Sequence, residues 1–254
     1  MKVSIITVCY NSKTYIQTTI ESVLSQTYSD IEYIIVDGES TDGTIEIIKK
    51  NESRFESGRL KWISEPDHGI YDAMNKGIRL ATGEIVGVLN SDDFYNNSLC
   101  IKMIADVLKD PNIDCCFGDM RYVKPENINK TVRYYSSSRF HPNLFRFGYM
   151  PGHATFFVRT KYFERIGYYK SDYQISADYE LLIRFLYIHK LKYKYIPSVL
   201  IIMRNGGIST RSWKSNYILN KEIVKACKEN GIYTNLFILS LKYFRKIFEF
   251  IHVK

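Results

Sequence analysis

Acidic and amide side chains follow each apolar run in the first half of the sequence. They are Asn11, Asp37, Asp67 and the adjacent pair Asp92 and Asp93. A single aspartate after a strand is usually a turn residue or a helix cap. Four such positions in succession favour a binding site, because ligands of open parallel sheets bind outside the carboxyl ends of the strands.

The pair Asp92 and Asp93 predicts a divalent metal site. Two adjacent carboxylates offer the hard oxygen ligands that Mn²⁺ and Mg²⁺ prefer. Such an ion neutralises the charge that develops on a departing diphosphate. One carboxylate would bind the metal, and the other could accept hydrogen bonds from a ribose. An acidic turn without metal is the simpler alternative.

Asp178 is the candidate general base. It lies at the start of an apolar-faced helical stretch, residues 177–188. A positioned carboxylate can remove the proton that makes an acceptor hydroxyl a poor nucleophile. The alternative is that Asp178 only caps its helix and interacts with the helix dipole.

Two further segments are weaker candidates for contacts with phosphate or acceptor. The glycine-containing stretch 205–209 could bring backbone N–H groups close to phosphate oxygens, or it could be a plain turn. His153 could contact phosphate, metal or acceptor, or it could be structural. The candidate residues in these segments are His153, Arg204, Gly206, Gly207 and Ser209.

The elements that must position these residues alternate between strand and helix. Short apolar runs at 3–8, 31–36, 60–64 and 85–89 predict buried strands, and helical stripes separate them. This alternation predicts an α/β fold with a mostly parallel sheet and helices on both faces. In the second half we expect strands at 113–117, 154–158, 193–196 and 199–203. We expect one domain over residues 1–210, with a nucleotide-binding half at about 1–118, an acceptor half at about 119–210, and a helical tail at 211–254.

Composition and charge narrow the classes further. Hydrophobic residues make up 45% and charged residues 24% of the chain, which is ordinary for a soluble globular protein. No stretch reaches the roughly 18 apolar residues of a spanning helix, and a cytoplasmic location is the default expectation. The five cysteines form no disulfide or zinc pattern and are expected to be reduced and buried. The net charge of +8 reflects either an anionic partner or no particular function.

The basic tail predicts where that charge could act. Residues 235–253 have the spacing of an amphipathic helix with a basic face and a wide apolar face. Such a helix could hold the protein on an anionic membrane surface, at the inner face of the cytoplasmic membrane. It could also pack on its own domain or on a second subunit, as in a homodimer.

Six motifs in order resemble the family 2 glycosyltransferases over about residues 1–210. They are 3–11 (VSIITVCYN), 34–44 (IIVDGESTDGT), 65–77 (EPDHGIYDAMNKG), 81–93 (ATGEIVGVLNSDD), 152–157 (GHATFF) and 175–182 (ISADYELL). The resemblance implies the GT-A fold, a Rossmann-like α/β domain, and an inverting, metal-dependent reaction. It implies that Asp37 reads the base, that Asp92 and Asp93 form the DxD-type motif with Asp93 on the metal, and that Asp178 is the catalytic base. The nucleotide site would include Thr7, Tyr10, Asn11, Asp37, Asp67, Asn75 and Asp92.

One position departs from the family pattern. Many relatives carry arginine where this chain has Met74, so the arginine that would contact the diphosphate is missing. Lys76 or Arg204 could take its place.

The function predicted from these features is sugar transfer from a nucleotide-diphosphate donor, a UDP-sugar, to an acceptor hydroxyl. The enzyme would be of the hexosyl- or N-acetylhexosaminyltransferase type, and its acceptor a glycan or a lipid-linked sugar in surface polysaccharide or glycolipid assembly. No nucleic acid partner is expected. A dinucleotide-binding oxidoreductase or a P-loop enzyme would need a glycine-rich first turn, which residues 9–12 lack. A nucleotidyltransferase would need a glycine- and lysine-rich loop near the N-terminus, and this sequence lacks one. A non-catalytic protein that binds nucleotide-sugar or carbohydrate is the alternative from a different class.

Overall fold

A single curled sheet organises the chain in the computed structural model, which describes residues 1–206 and 213–241. Its strands are β1 (Val3–Cys9), β2 (Ile31–Asp37), β3 (Leu60–Ser64), β4 (Ile85–Val88), β5 (Phe94–Tyr95), β6 (Cys115–Lys124), β7 (Asn127–Tyr135), β8 (Phe157–Arg159) and β9 (Tyr193–Arg204). Their order is β3-β2-β1-β4-β8-β6-β9-β5, and β7 pairs with β6.

The α-helices α1 to α7 accompany the strands. They are α1 (Ile16–Leu24), α2 (Thr44–Asn51), α3 (Ile70–Leu80), α4 (Cys100–Leu108), α5 (Lys161–Ile166), α6 (Ala177–Leu182) and α7 (Trp213–Glu229). Three short 3₁₀ segments lie at Glu52–Arg54, Pro142–Phe147 and His153–Thr155, and a π-helical turn at Ile183–Ile188 continues α6.

The first four strands are parallel; the carboxyl ends of β1, β2 and β3 lie level, and β4 ends opposite Ile6. Register places Cys9 beside Asp37 and Asp37 beside Ser64. β1, β2 and β4 are buried along their whole length, which explains their unbroken β-branched runs. The polar residues that follow these strands therefore share one rim.

Helices cover both faces of the sheet, as predicted. Ile6 and Ile34 face a core built with α3, α6 and α7, whereas Ile5 and Ile35 face a core built with α1, α2 and α4. This alternation follows from the two-residue period of strands. The predicted α/β fold with a mostly parallel sheet is confirmed.

The structure differs from the sequence expectation in three places. β9 is one strand where two were expected, and the β6–β9 register shifts opposite Pro197. The shift accommodates Pro197, which has no N–H to donate to the β6–β9 pairing. Residues 154 and 155, which were predicted to begin a strand, belong to a 3₁₀ segment. β6 and β7 form an antiparallel hairpin. α4, whose apolar residues have helical spacing, was not predicted.

α7 packs against the main body of the protein. Ile223, Ala226 and Cys227 are buried in the core that includes α6. The Glu222 carboxylate accepts hydrogen bonds of 2.7–2.9 Å from the N–H groups of residues 174–176. Residues 236–241 are helical, with Leu239 buried, but the rest of the predicted tail helix lies outside the described residues. The division at residue 210 stays a prediction.

No helix of the described residues is long and apolar enough to cross a membrane. The five cysteines are buried and unpaired, as expected.

Candidate active site

Asp37 organises the rim at the end of β2. It is fully buried. One carboxylate oxygen accepts from the Ser40 hydroxyl at 2.5 Å. The other accepts from the Ser40 N–H at 2.9 Å and the Ser64 hydroxyl at 2.7 Å. Asp37 therefore fixes the loops that follow β2 and β3.

Tyr10, Gly38 and Asp67 lie together next to Asp37, and we call these three residues the cradle. The Tyr10 side chain is 66% exposed. A Cβ added at Gly38 would lie 2.6 Å from Asp67 Oδ2 and 3.5 Å from the Tyr10 ring, so glycine lets both side chains approach this backbone closely. Asn11 shapes the adjoining turn with a φ of 47°, and its amide oxygen accepts from the Thr41 N–H at 3.0 Å. A flat exposed ring beside a carboxylate suits a planar heterocycle that has an N–H donor.

The acidic pair follows β4. Asp93 is buried, and its Oδ2 accepts from the Asn90 amide at 3.1 Å. Asp93 Oδ1 and Asn90 Oδ1 have no hydrogen-bond partner among the described residues. Burial, followed by the charge of Asp92, raises the pKa of Asp93 well above its usual value. Buried oxygens without donors, next to a second carboxylate, favour a bound cation.

The donor set of this pair fits Mg²⁺ or Mn²⁺. Within residues 1–206 and 213–241, His, Cys, Asp and Glu side chains form no group of three that could hold a metal by themselves. A site with only two carboxylates is compatible with Mg²⁺ or Mn²⁺, because these ions are often held by one or two carboxylates together with water and substrate phosphates.

Arg204 lies beside the acidic pair at the end of β9. Its guanidinium lies between the rings of Tyr15 and Phe94, at 4.7 and 4.9 Å, and donates to the Asp92 carbonyl oxygen at 2.5 Å. Burial lowers the pKa of Arg204, and Asp92 opposes this shift. Arg204 therefore offers positive charge near the predicted diphosphate position. Gly206 is exposed with a φ of 113°, and Gly207 and Ser209 lie outside the described residues.

Asp178 lies near enough to His153 for the two side chains to interact electrostatically. Asp178 Oδ1 accepts from the Tyr179 N–H at 2.8 Å and lies 3.5 Å from the Tyr71 hydroxyl. Burial raises the pKa of Asp178, and nearby His153 opposes the shift. His153 Nε2 is 2.6 Å from the Tyr169 hydroxyl. The structure thus joins two residues that the sequence placed in separate motifs.

Three other predicted or alternative contact residues are bonded within the protein. The Thr7 hydroxyl is buried and accepts from the Tyr33 hydroxyl at 3.0 Å. Both amide atoms of Asn75 bond the backbone of Tyr169, at 2.8 and 3.0 Å. Lys76 donates to the Pro66 carbonyl at 2.6 Å and pairs with Glu65 at 2.9 Å.

Sequence reasoning missed Tyr71 and Tyr169, whose rings stack at 5.7 Å beside His153 and Asp178. Tyr71 falls inside one of the six motifs, which was the available signal. Tyr169 falls outside them all, and only the fold brings it to the site.

Solved structures share this architecture. TarS residues 1–349 of S. aureus in complex with UDP-GlcNAc match with a TM-score of 0.71 and 19% identity, over 100% of this chain and 76% of that chain. In the structure of the same TarS fragment without that ligand, this chain covers 65% of the fragment's length. The mannosyltransferase PcManGT from Pyrobaculum calidifontis, in complex with GDP-Man and Mn²⁺, matches with a TM-score of 0.64 and 19% identity, over 90% of this chain and 63% of that chain. At these identities the likeness shows the fold, and the predicted GT-A fold is confirmed.

Sequence relatives add the family. An uncharacterized glycosyltransferase of Mycobacterium tuberculosis is 33% identical over 186 residues, which are 72% of this chain and 68% of the relative. Residues 4–167 match the model of the family described as Glycosyl transferase family 2. These two matches show that the chain belongs to glycosyl transferase family 2 and is a glycosyltransferase.

Proposed function

We propose that the enzyme transfers a sugar from a nucleotide-diphosphate donor to an acceptor hydroxyl with inversion at the anomeric carbon. One observation carries the proposal: the fold presents two separate carboxylate centres. Asp93 keeps an unpartnered buried oxygen beside Asp92 on the rim of the sheet, and Asp178 stands beside His153 and Tyr71. The first centre suits a cation with a diphosphate, and the second suits proton removal.

The donor is a UDP-sugar in this proposal. The Tyr10 ring would stack on the base, and a carboxylate would accept from the uracil N–H. Asp37 already accepts hydrogen bonds from Ser40 and Ser64, so Asp67 Oδ2, which faces the Gly38 cradle, adds a second acceptor for the base. Solved neighbours hold UDP-GlcNAc and GDP-Man, which supports a nucleotide-diphosphate sugar as the class.

Asp93 would hold the Mn²⁺ or Mg²⁺ ion, with Asn90 and Asp92 beside it. When bound, the ion would neutralise negative charge on the diphosphate leaving group. Arg204, held against the Asp92 backbone, supplies further positive charge on this side of the site. In this proposal Arg204 performs the role of the arginine that many relatives carry at the position of Met74.

Asp178 acts as the general base. The acceptor oxygen forms a bond to the anomeric carbon while the bond from that carbon to the diphosphate oxygen breaks. The electron pair leaves on the diphosphate, and the hydroxyl proton goes to Asp178. Since burial raises the pKa of this carboxyl, it is a better proton acceptor than an exposed aspartate.

Proton NMR of the reaction tests the mechanism. Purified enzyme with UDP-glucose or UDP-N-acetylglucosamine and Mn²⁺ should release UDP, and the first sugar product from an α-linked donor should be β. A product with retained configuration contradicts the inverting mechanism. Calorimetry with UDP and GDP tests the base: tighter binding of GDP would contradict the choice of UDP.

We also propose that the acceptor is lipid-linked and that the C-terminal region lies on an anionic membrane. The side chains of Tyr233 and Phe237 are 71% and 77% exposed, next to an α7 that carries Lys214, Lys221 and Lys228. Exposed aromatic residues beside basic residues suit the interface between headgroups and acyl chains. They would place the enzyme at the surface that holds its acceptor.

Liposome co-sedimentation at low salt tests this placement. The wild-type protein should pellet with anionic vesicles, and Tyr233→Ser with Phe237→Ser should release it. Leu99→Ser, which removes a side chain that is 50% exposed immediately before α4, is the matched control and should still pellet. Wild-type protein that stays in the supernatant, or that sediments as a homodimer whose interface needs Phe237, would contradict the membrane placement.

A further inference from the structure

Residues 166–170 form a segment that we call the strap, and hydrogen bonds hold it from two sides. On one side Arg184 donates to the carbonyls of Ile166, Gly167 and Tyr168 at 2.7–3.1 Å. Arg184 itself is fixed by fully buried Glu180, whose two carboxylate oxygens accept from its Nε at 2.9 and 3.0 Å.

On the other side α3 holds the strap through Asn75. The Asn75 amide donates to the Tyr169 carbonyl at 2.8 Å, and its oxygen accepts from the Tyr169 N–H at 3.0 Å. Both bonds are buried, so breaking them would leave buried backbone groups without partners. The backbone of Tyr169 is therefore fixed by a helix that belongs to the donor half.

The Tyr169 side chain reaches the two residues that face Asp178. Its ring is buried and stacks on Tyr71, with a 23° angle between the planes. Its hydroxyl lies 2.6 Å from His153 Nε2. Tyr71 lies 3.5 Å from Asp178 Oδ1 and also donates to the Ile175 carbonyl at 2.5 Å, just before α6.

We propose that Tyr169 is a positioning residue: held by Asn75 and Arg184, it fixes His153 as the Nδ1–H tautomer and keeps His153 and Tyr71 against the Asp178 carboxylate. Burial lowers the pKa of His153 and raises that of Tyr169, which keeps both groups neutral. Among the described residues the Tyr169 hydroxyl has no hydrogen-bond partner other than His153 Nε2, so in this proposal Nε2 accepts the phenol proton and Nδ1 carries the imidazole proton. The titratable and charged groups around this pair are Asp178, Tyr71 and, towards Tyr169, Arg184. The kinetic part of the proposal depends on the proposed role of Asp178, whereas the tautomer does not.

Tyr169→Phe is the first test, because it keeps the stacked ring and removes only the hydroxyl. Tyr173→Phe is the matched control: it also removes a buried tyrosine hydroxyl, one that donates to Glu229 at 2.9 Å. Nitrogen-15 NMR of the imidazoles should show His153 as the Nδ1–H tautomer in the wild type and in Tyr173→Phe, and a mixture of tautomers in Tyr169→Phe. An unchanged His153 spectrum in Tyr169→Phe overturns the proposal. This test does not require that the enzyme turns over a donor.

Kinetics supply the second test. Tyr169→Phe should lower kcat by about ten- to a hundredfold, the range expected for misplaced catalytic groups, with an unchanged KM for the nucleotide-sugar. A purely structural role would instead lower Tm in both tyrosine variants and leave kcat equal in the two.

Asn75→Ala separates positioning from nucleotide contact. If Asn75 acts through Tyr169, calorimetry should give an unchanged Kd for UDP while kcat falls as in Tyr169→Phe. A Kd for UDP that rises about tenfold or more, the size of a lost direct contact, would return Asn75 to the nucleotide site and overturn its part in the proposal.

Discussion

Asp178→Asn isolates the charge of the proposed base from its shape. Asparagine keeps an Oδ1 that can accept from the Tyr179 N–H, the bond that is 2.8 Å long in the wild type. The substitution removes the oxygen that would take up the acceptor proton. Positioned general bases contribute about 10²–10⁴-fold to rate. Since each factor of ten is about 1.4 kcal/mol, the variant should lose about 3 to 6 kcal/mol of transition-state stabilisation.

The same substitution should stabilise the fold at neutral and alkaline pH. Burial raises the pKa of Asp178, so the folded protein prefers the neutral carboxyl. The stability that this group contributes is complete below its pKa in the unfolded chain and is lost as the pH rises through its higher pKa in the folded state. Asparagine is neutral throughout, and the variant should therefore be more stable than the wild type at pH 8, with the difference vanishing near pH 3.

Single-turnover kinetics, UDP calorimetry and urea unfolding at pH 3 and pH 8 measure these effects separately. UDP affinity should be unchanged, because the donor cradle lies at the ends of β1 to β3. Asp119→Asn is the control: this buried aspartate accepts from the hydroxyls of Tyr134 and Tyr195 at 2.5 and 2.8 Å, so its loss should lower stability rather than kcat. A rate for Asp178→Asn within about threefold of the wild type would refute the role of Asp178, since general bases contribute far more.

Asp93→Ala should abolish metal-stimulated turnover with little loss of fold, and full activity of this variant in a chelator-controlled assay would rule out Asp93 as the ligand. Gly38→Ala places a Cβ 2.6 Å from Asp67 Oδ2 and should raise the donor KM by about tenfold, as for other crowded pockets, with an unchanged Tm; an unchanged KM would show that the cradle does not hold the base. Burial alone would raise the pKa of Glu32, but hydrogen bonds from Lys61, Ser4 and Thr82 bring it down from 4.5 to about 2. Glu32→Gln should therefore lower the unfolding free energy at pH 7 by about 3 kcal/mol. That loss should shrink as the pH falls from 4.5 towards 2, without changing UDP affinity, and equal urea midpoints at pH 7 would contradict this account.

The carboxylates of the donor rim could be found from the sequence because they depend on local patterns. A strand buried on both faces reads as a short β-branched run, and the polar residue after it marks where the run ends. Parallel strands bring those ends to one edge. Asp37, Asp67 and Asp93 follow from this pattern alone.

The surroundings of those side chains could not be found in the same way. The sequence suggested that Asp37 was free to read a base, yet the fold surrounds its carboxylate with Ser40 and Ser64. Asn75 was assigned to the nucleotide, and the fold bonds its amide to Tyr169. Partners of this kind are decided by loops whose paths follow from packing rather than from periodicity.

The sequence by itself determined the family, the parallel half of the sheet and the residues that end its strands, because these follow from local periodicity and short motifs. Only the tertiary structure decided that Asp178 would stand with His153, Tyr71 and Tyr169. These residues come from four separate segments, and their contacts depend on how α3, α6 and the strap pack together. The raised pKa of Asp178 has the same origin, since desolvation belongs to the packed environment and not to the residue.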